Sequence, residues 1–184
     1  MADSDRIQLR HLHFRSYLSA ERIRRRVAEL GAELGKRMAG GRPCFMVMLK
    51  GAFIFAADLI RTSGLDGEVC FVRTRSYRGT ESQGKVEVLL APERSLVADH
   101  DVVLIEDIVD SGRTMHAFLP MVRELGARSV TLVTLLHKPE AAEVTVPIDL
   151  VGFEVPTLFL VGYGLDYDGL GRQLPGIYQL AEEY

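Results

Sequence analysis

The chain has 184 residues, 47% hydrophobic and 26% charged, a composition typical of one globular domain large enough to bury a core. Its formal net charge of −3 gives no bulk attraction to nucleic acid or an anionic membrane, so neither partner is predicted. Because the N-terminus lacks a signal-peptide pattern and no apolar run is long enough to span a bilayer, we predict a cytoplasmic protein. Cys44 and Cys70 lie in apolar runs and are expected to be buried free thiols.

The first half of the chain alternates predicted helices and strands. Apolar residues at helical spacing predict a helix over 20–38 with Ser19 as its N-cap. The arginines of 22–26 indicate either a solvated helix face or an anion site. The apolar run 44–49 predicts a buried strand of a parallel sheet, and a helix is expected from Phe53. Further strands are predicted at 68–73, 86–90, 102–105, 129–136, 148–153 and 158–161.

A second predicted helix follows residue 112 and ends near Gly126. Pro120 lies within it and is expected to kink the helix or to remove one backbone hydrogen bond, the bond to His116. The polar stretch 74–84 indicates either a binding lid or a disordered loop. Alternating strands and helices favour a doubly wound α/β fold with its site at the carboxyl ends of the strands.

The segment 102–114 carries the strongest chemical signal. An apolar strand leads into Glu106, Asp107 and Asp110, and a small hydroxyl-rich turn then opens a helix. The amides at a helix N-terminus attract phosphate, whereas carboxylates suit ribose hydroxyls, a magnesium ion or a developing positive charge. A single acid here is equally a helix cap, but three together indicate a sugar-phosphate site. The segment is not a Walker loop.

This segment resembles the signature of the type I phosphoribosyltransferases. Four other segments are similar to the hypoxanthine-guanine phosphoribosyltransferases within that family, namely 49–53, 76–82, 135–139 and 151–167. The resemblance implies an α/β fold with a mainly parallel sheet flanked by helices and a small hood formed by the terminal segments. It also implies a single domain over 1–184, with residues from about 150 to 184 contributing to the purine-binding hood.

The family reaction transfers the 5-phosphoribosyl group from 5-phosphoribosyl 1-diphosphate (PRPP) to N9 of a 6-oxopurine. For hypoxanthine or guanine it gives IMP or GMP and diphosphate, and it uses Mg²⁺. The expected partners are therefore small-molecule substrates, and the family implies a homodimer or homotetramer. Two alternatives are a PRPP-binding regulator of the same fold without turnover and an enzyme of this fold acting on adenine or a pyrimidine.

On the PRPP side, the resemblance implies a role for each matching residue. The 5-phosphate site would comprise Asp110, Ser111, Gly112, Arg113 and Thr114. The ribose and metal site would comprise Glu106 and Asp107, with Asp166 as a further metal-site acid. The diphosphate site would comprise Lys50, Gly51 and Arg172, with an unusual cis peptide in its loop. Ser76 and Tyr77 would belong to the lid that closes over PRPP. Taken alone, Lys50-Gly51 is simply a turn.

On the purine side, Asp110 matches the base that the family places near purine N7. Lys138 matches the lysine that donates to the 6-oxo group, which favours hypoxanthine and guanine over adenine. Phe159 matches the aromatic residue that stacks on the purine, and Leu160 would supply backbone contacts. Without the resemblance, Lys138 reads as a surface lysine and Phe159 as a core residue.

Overall fold

The computed structural model describes residues 6–76 and 86–181. In chain order its elements are β1 (Arg6–Leu9), β2 (Leu12–Leu18), α1 (Ala20–Arg37), β3 (Cys44–Leu49), α2 (Phe53–Ser63), β4 (Glu68–Ser76), β5 (Val86–Leu90), α3 (Arg94–Val97), β6 (Asp101–Val109), α4 (Arg113–Glu124), β7 (Ser129–His137), a 3₁₀ turn (Pro139–Ala141), β8 (Leu150–Glu154), β9 (Leu160–Val161) and β10 (Ile177–Leu180).

A six-stranded sheet in the order β5-β4-β3-β6-β7-β8 forms the centre of the molecule. All its pairings are parallel except that of β5, which runs antiparallel to β4. The strands β3 and β6 are buried almost throughout, as continuous apolar runs require when helices cover both faces. The predicted α/β architecture is therefore confirmed, and β3, β6 and β7 end at the same edge.

Helices α1 and α2 pack closely because two glycines of α1 face α2. A Cβ at Gly31 would lie 2.3 Å from Thr62 Oγ1, and one at Gly35 would lie 2.5 Å from the Ser63 carbonyl oxygen. The predicted N-cap is confirmed, since Ser19 Oγ accepts a hydrogen bond from the Arg22 amide. The arginine face of α1 is only partly solvated, because Arg26 donates to two backbone carbonyls of β8 at 2.8 and 2.9 Å.

The terminal segments form a separate four-stranded antiparallel sheet in the order β1-β2-β10-β9, which is the hood that the resemblance implies. Its small core consists of Phe14, Val161 and Tyr178. The sequence pattern did not predict β1, β2, β10 or the short α3, and it began β9 two residues too early, at Leu158. These strands are short, and β9 and β10 pair with residues far away in the chain, so local periodicity is weak.

Three further predictions were tested by the fold. Strand β6 was predicted to end at Ile105, but it continues to Val109, because Glu106 and the residues after it keep pairing with β7. Helix α4 accommodates Pro120 in its interior without ending there. Cys44 and Cys70 are buried free thiols, as expected. Within the described ranges, no helix is long and apolar enough to cross a membrane.

Candidate active site

A cavity of about 190 Å³ lies at the carboxyl edge of the six-stranded sheet. Its lining includes Leu49, Glu106, Asp110, Ser111, Gly112 and Thr114. These residues come from the end of β3, the end of β6 and the start of α4, so parallel strands bring together segments that are about 60 residues apart in the chain. The acidic segment and the hydroxyl-rich turn therefore share one cavity, as their sequence predicts.

The two adjacent acids lie in different environments. Glu106 is only 9% exposed, and its Oε1 accepts a hydrogen bond of 3.2 Å from the Asp107 amide. Burial raises the pKa of Glu106 well above its ordinary value, and the neighbouring charge of Asp107 raises it further. A buried carboxylate beside a second negative charge is electrostatically unfavourable, and a cation bound there would relieve the repulsion.

The turn that opens α4 packs against the segment after β7. Gly112 has φ +79°, and a Cβ there would lie 2.5 Å from the Val144 carbonyl oxygen. The Ser111 carbonyl accepts hydrogen bonds from the amides of Glu143 and Val144, at 3.0 and 3.2 Å. Gly112 is the N-cap of α4 and provides no side-chain cap for the helix. The turn therefore presents a helix N-terminus at a cavity, which is suitable for a phosphate group.

Lys138 and Asp110 meet at this edge although they are 28 residues apart. Lys138 Nζ donates to Asp110 Oδ2 at 3.0 Å. The lysine side chain is 10% exposed and the aspartate side chain is 53% exposed, so one partner is buried and the other faces solvent. The Lys138 amide also donates to the Val109 carbonyl at 3.0 Å, which fixes the lysine beside the end of β6. Lys138 is therefore not a surface lysine.

The Lys50-Gly51 loop lies directly against the acidic segment. The Leu49–Lys50 peptide bond is cis, which agrees with the resemblance. A Cβ at Gly51 would lie 1.5 Å from Asp107 Oδ2, so the carboxylate contacts the glycine backbone. On another side, a Cβ at Gly164 would lie 2.0 Å from the Gly51 carbonyl oxygen. A side chain at Gly164 would meet the Gly51 backbone, whereas one at Gly51 would displace the Asp107 carboxylate. Three distant segments therefore converge here.

Asp166 and Arg172 are paired with each other. Arg172 Nη2 lies 2.5 Å from Asp166 Oδ1, and Arg172 Nη1 donates to the Gly164 carbonyl at 2.6 Å. The other carboxylate oxygen of Asp166 accepts from the Gly169 amide at 2.7 Å. This arrangement places the two residues next to the Gly51 loop through Gly164.

Phe159 is not a core residue, because 46% of it is exposed. Its ring makes aromatic contacts with Phe14 and Tyr167, at centroid distances of 6.2 and 5.9 Å. Leu160 is buried in β9. The backbone of Ser76 ends β4, while its side chain and Tyr77, the predicted lid residues, lie outside the described residues.

The sequence interpretation missed several residues that shape the site. Ile108 lines the cavity between the acids, and the amides of Glu143 and Val144 donate to the Ser111 carbonyl in the turn that opens α4. Tyr163 donates from its hydroxyl to Asp58 Oδ2 at 2.6 Å. The two glycines that flank Tyr163 are the signal that could have revealed it, since both have positive φ.

The structure also tests how a metal ion would be held. Within residues 6–76 and 86–181, no three His, Cys, Asp or Glu side chains are grouped closely enough to hold one. Magnesium is usually bound by one or two carboxylates, water and substrate phosphates, so the Glu106–Asp107 pair fits such an ion. Asp166 lies in its own ion pair with Arg172.

The sequence model of the phosphoribosyl transferase domain matches residues 13–168, and the chain belongs to that family. Its relatives indicate which branch of that family it resembles. The chain is 42% identical over 161 residues to the hypoxanthine-guanine phosphoribosyltransferase of Bacillus subtilis, covering 87% of this chain and 89% of that protein. The crystal structure of a hypoxanthine phosphoribosyltransferase from Staphylococcus aureus matches with a TM-score of 0.87 and 33% identity, covering 98% of this chain and 97% of that one.

A further relative is longer. The bifunctional protein TilS/HprT of Listeria innocua is 41% identical over 167 residues, which are 90% of this chain but 26% of that protein. The chain thus spans about a quarter of this relative and nearly all of the B. subtilis one.

Proposed function

We propose that this chain is a purine salvage enzyme that transfers the 5-phosphoribosyl group from PRPP to N9 of hypoxanthine or guanine, giving IMP or GMP and diphosphate. The observation that carries the proposal is the 3.0 Å contact between Lys138 Nζ and Asp110 Oδ2 beside the acidic cavity. A cation that can donate to a 6-oxo group and a carboxylate that can accept a proton stand together there, next to a helix N-terminus suited to phosphate.

On the sugar side, the α4 N-terminus with Asp110, Ser111, Gly112, Arg113 and Thr114 holds the 5-phosphate. Glu106 and Asp107 lie beside the ribose and stabilise the positive charge that develops at C1′ as the diphosphate leaves. Lys50, Gly51 and Arg172 contact the diphosphate. Glu106 and Asp107 would hold Mg²⁺, which would neutralise phosphate oxygens of PRPP. Asp166, which is paired with Arg172, is proposed as a further metal-site acid.

On the purine side, Lys138 donates to the 6-oxo group and Asp110 accepts the proton near N7 as the N9 bond forms. Binding of a 6-oxopurine therefore replaces the Lys138–Asp110 hydrogen bond with two bonds to the base. Phe159, whose ring is exposed, stacks on the purine, and the Leu160 backbone contacts its edge. Residues 150–184 contribute this side of the site, and Ser76 and Tyr77 belong to the closing lid that excludes water.

The test is an assay of the purified chain with PRPP and Mg²⁺ and with hypoxanthine, guanine, xanthine or adenine in turn. We expect nucleotide formation with hypoxanthine or guanine and little with adenine, because the 6-amino group of adenine would face the Lys138 donor. Absence of nucleotide from all three 6-oxopurines would overturn the proposal. PRPP binding without any product would instead identify a regulator. Gel filtration tests the expected homodimer or homotetramer.

A further inference from the structure

Two segments of the proposed site, the Gly51 loop and the segment that carries Gly164, meet at a backbone contact. Gly164 has φ +106°, and its backbone lies so close to the Gly51 carbonyl that a Cβ would be 2.0 Å from that oxygen. The Gly51 backbone also contacts the Asp107 carboxylate. Neither glycine can carry a side chain without displacing a neighbour. The relative position of the two segments therefore depends on what holds Gly164 in place.

Tyr163, the residue before Gly164, fixes the position of this segment. Its side chain is buried, and its hydroxyl donates to Asp58 Oδ2 at 2.6 Å. Asp58 lies in α2, the helix that begins two residues after Gly51. The hydrogen bond thus ties the Gly164 segment to the same rigid unit that carries the Gly51 loop. Burial and the Asp58 carboxylate raise the pKa of Tyr163, so the hydroxyl remains a donor at neutral pH.

The opposite side of Gly164 leads to the charged residues of the site. The Gly164 amide donates to the Arg172 carbonyl at 2.9 Å, and Arg172 Nη1 returns a bond to the Gly164 carbonyl at 2.6 Å. Arg172 in turn pairs with Asp166. A shift of Gly164 would therefore move the residues proposed to contact diphosphate and metal.

We propose that Tyr163 is a positioning residue. Through its hydrogen bond to Asp58, it holds the Gly164 backbone against the Gly51 loop and so aligns the two halves of the site. This inference rests on the proposed function. Without the bond, the aligned arrangement is only fractionally populated, and the apparent affinity for PRPP falls by that fraction. Saturating PRPP restores the arrangement, so the maximal rate is largely retained.

The experiment compares Tyr163→Phe with the wild-type chain in steady-state kinetics and in calorimetric titration with PRPP and Mg²⁺. We expect the KM and the Kd for PRPP to rise about tenfold, the scale for loss of one hydrogen bond to a charged group, with kcat within about twofold. Asp58→Ala should give the same change, and the double variant should be no worse, because both substitutions remove one bond. Asp58→Asn keeps an acceptor and should restore most of the affinity.

Two control variants separate this role from general destabilisation. Tyr17→Phe removes a hood hydroxyl that makes no hydrogen bond in the described part of the chain, and Arg61→Gln removes the other partner of Asp58. Both should leave the KM for PRPP unchanged.

The inference is overturned if folded Tyr163→Phe binds PRPP normally, if kcat falls at constant KM, or if the effects of Tyr163→Phe and Asp58→Ala add. A wild-type chain that binds PRPP but forms no nucleotide refutes the proposed function instead, and the calorimetric comparison still decides the role of Tyr163.

Discussion

The two edges of the six-stranded sheet differ in the environment of their charged side chains. At the amino edge, a cavity of about 240 Å³ is lined by Arg42, Asp66, Glu68 and His100 among others. There, opposite charges are paired near the surface, as in Arg42 with Asp66 and Arg128 with Asp101. At the carboxyl edge, the cavity is about 190 Å³ and Glu106 is buried beside a like charge.

The difference shows that strand direction, rather than cavity size, decides where the site lies. In a parallel sheet, helices begin at the carboxyl ends of strands, and α2 and α4 both begin there. Their N-terminal amides favour anions, whereas the amino edge receives helix C-termini. Unfavourable electrostatics at the carboxyl edge is therefore what we expect of a site that awaits a ligand.

The largest effect should come from Asp110→Asn. The amide keeps the shape of the side chain but cannot accept the proton from the purine, so turnover should fall about a hundredfold or more while PRPP binding is retained. The measurement is kcat with calorimetry of PRPP. Asp101→Asn, at the other end of the same strand, is the matched control and should leave kcat unchanged. Normal turnover in Asp110→Asn would remove Asp110 from this role.

A smaller loss is expected from Gly51→Ala. The new methyl group would occupy the space of Asp107 Oδ2, and the carboxylate would rotate away from the ribose. We expect kcat/KM to fall about 10–100-fold, the scale of a displacement of about 1 Å in an active site, with little change in Tm. Gly40→Ala is the matched control with the opposite expected outcome. Gly40 has φ +82°, which is strained for alanine, but open space surrounds it, so no site residue would be displaced. That variant should lose stability and keep activity, and full activity of Gly51→Ala would contradict the contact described above.

Glu106→Gln should separate stability from function. The substitution removes a buried carboxylate beside Asp107, so Tm measured without Mg²⁺ should rise, by about 2–4 °C in a chain of this size. The kcat/KM for PRPP should fall about tenfold, equivalent to ~1.4 kcal/mol of transition-state stabilisation. A lower Tm in metal-free protein would show that the carboxylate is not under electrostatic strain.

The smallest effect concerns the amino edge. Hydrogen bonds from Arg128 and then Ser129 lower the pKa of Asp101 to about 2. A carboxyl whose folded pKa is depressed stabilises the fold above its unfolded pKa and loses that contribution as pH falls through the folded value. Asp101→Asn should thus lower Tm at pH 7 by at most about 2 °C, since the pair is solvent-screened. The difference should shrink between about pH 4 and pH 2. A difference that grows in acid would reverse this assignment.

The acidic segment shows how much of the candidate site local sequence can predict. Carboxylates after an apolar strand and a glycine before a helix are local features, so the sequence predicts Glu106, Asp110 and Gly112 as site residues directly. The Tyr163–Asp58 bond joins residues that are 105 positions apart, and no local pattern pairs them. The same holds for Arg26, whose contact with β8 was interpreted as a solvated face or an anion site because its partner lies 125 residues away.

The sequence by itself determined the parallel sheet, the helices that flank it and the chemistry of the acidic turn, because hydrophobic period and turn residues act over a few neighbours. The tertiary structure decided the hood, the burial of Lys138 against Asp110 and the convergence of Gly51, Asp107 and Gly164. These contacts depend on which strands become neighbours in the fold. They join residues that are far apart in the chain, and no local sequence pattern pairs such residues.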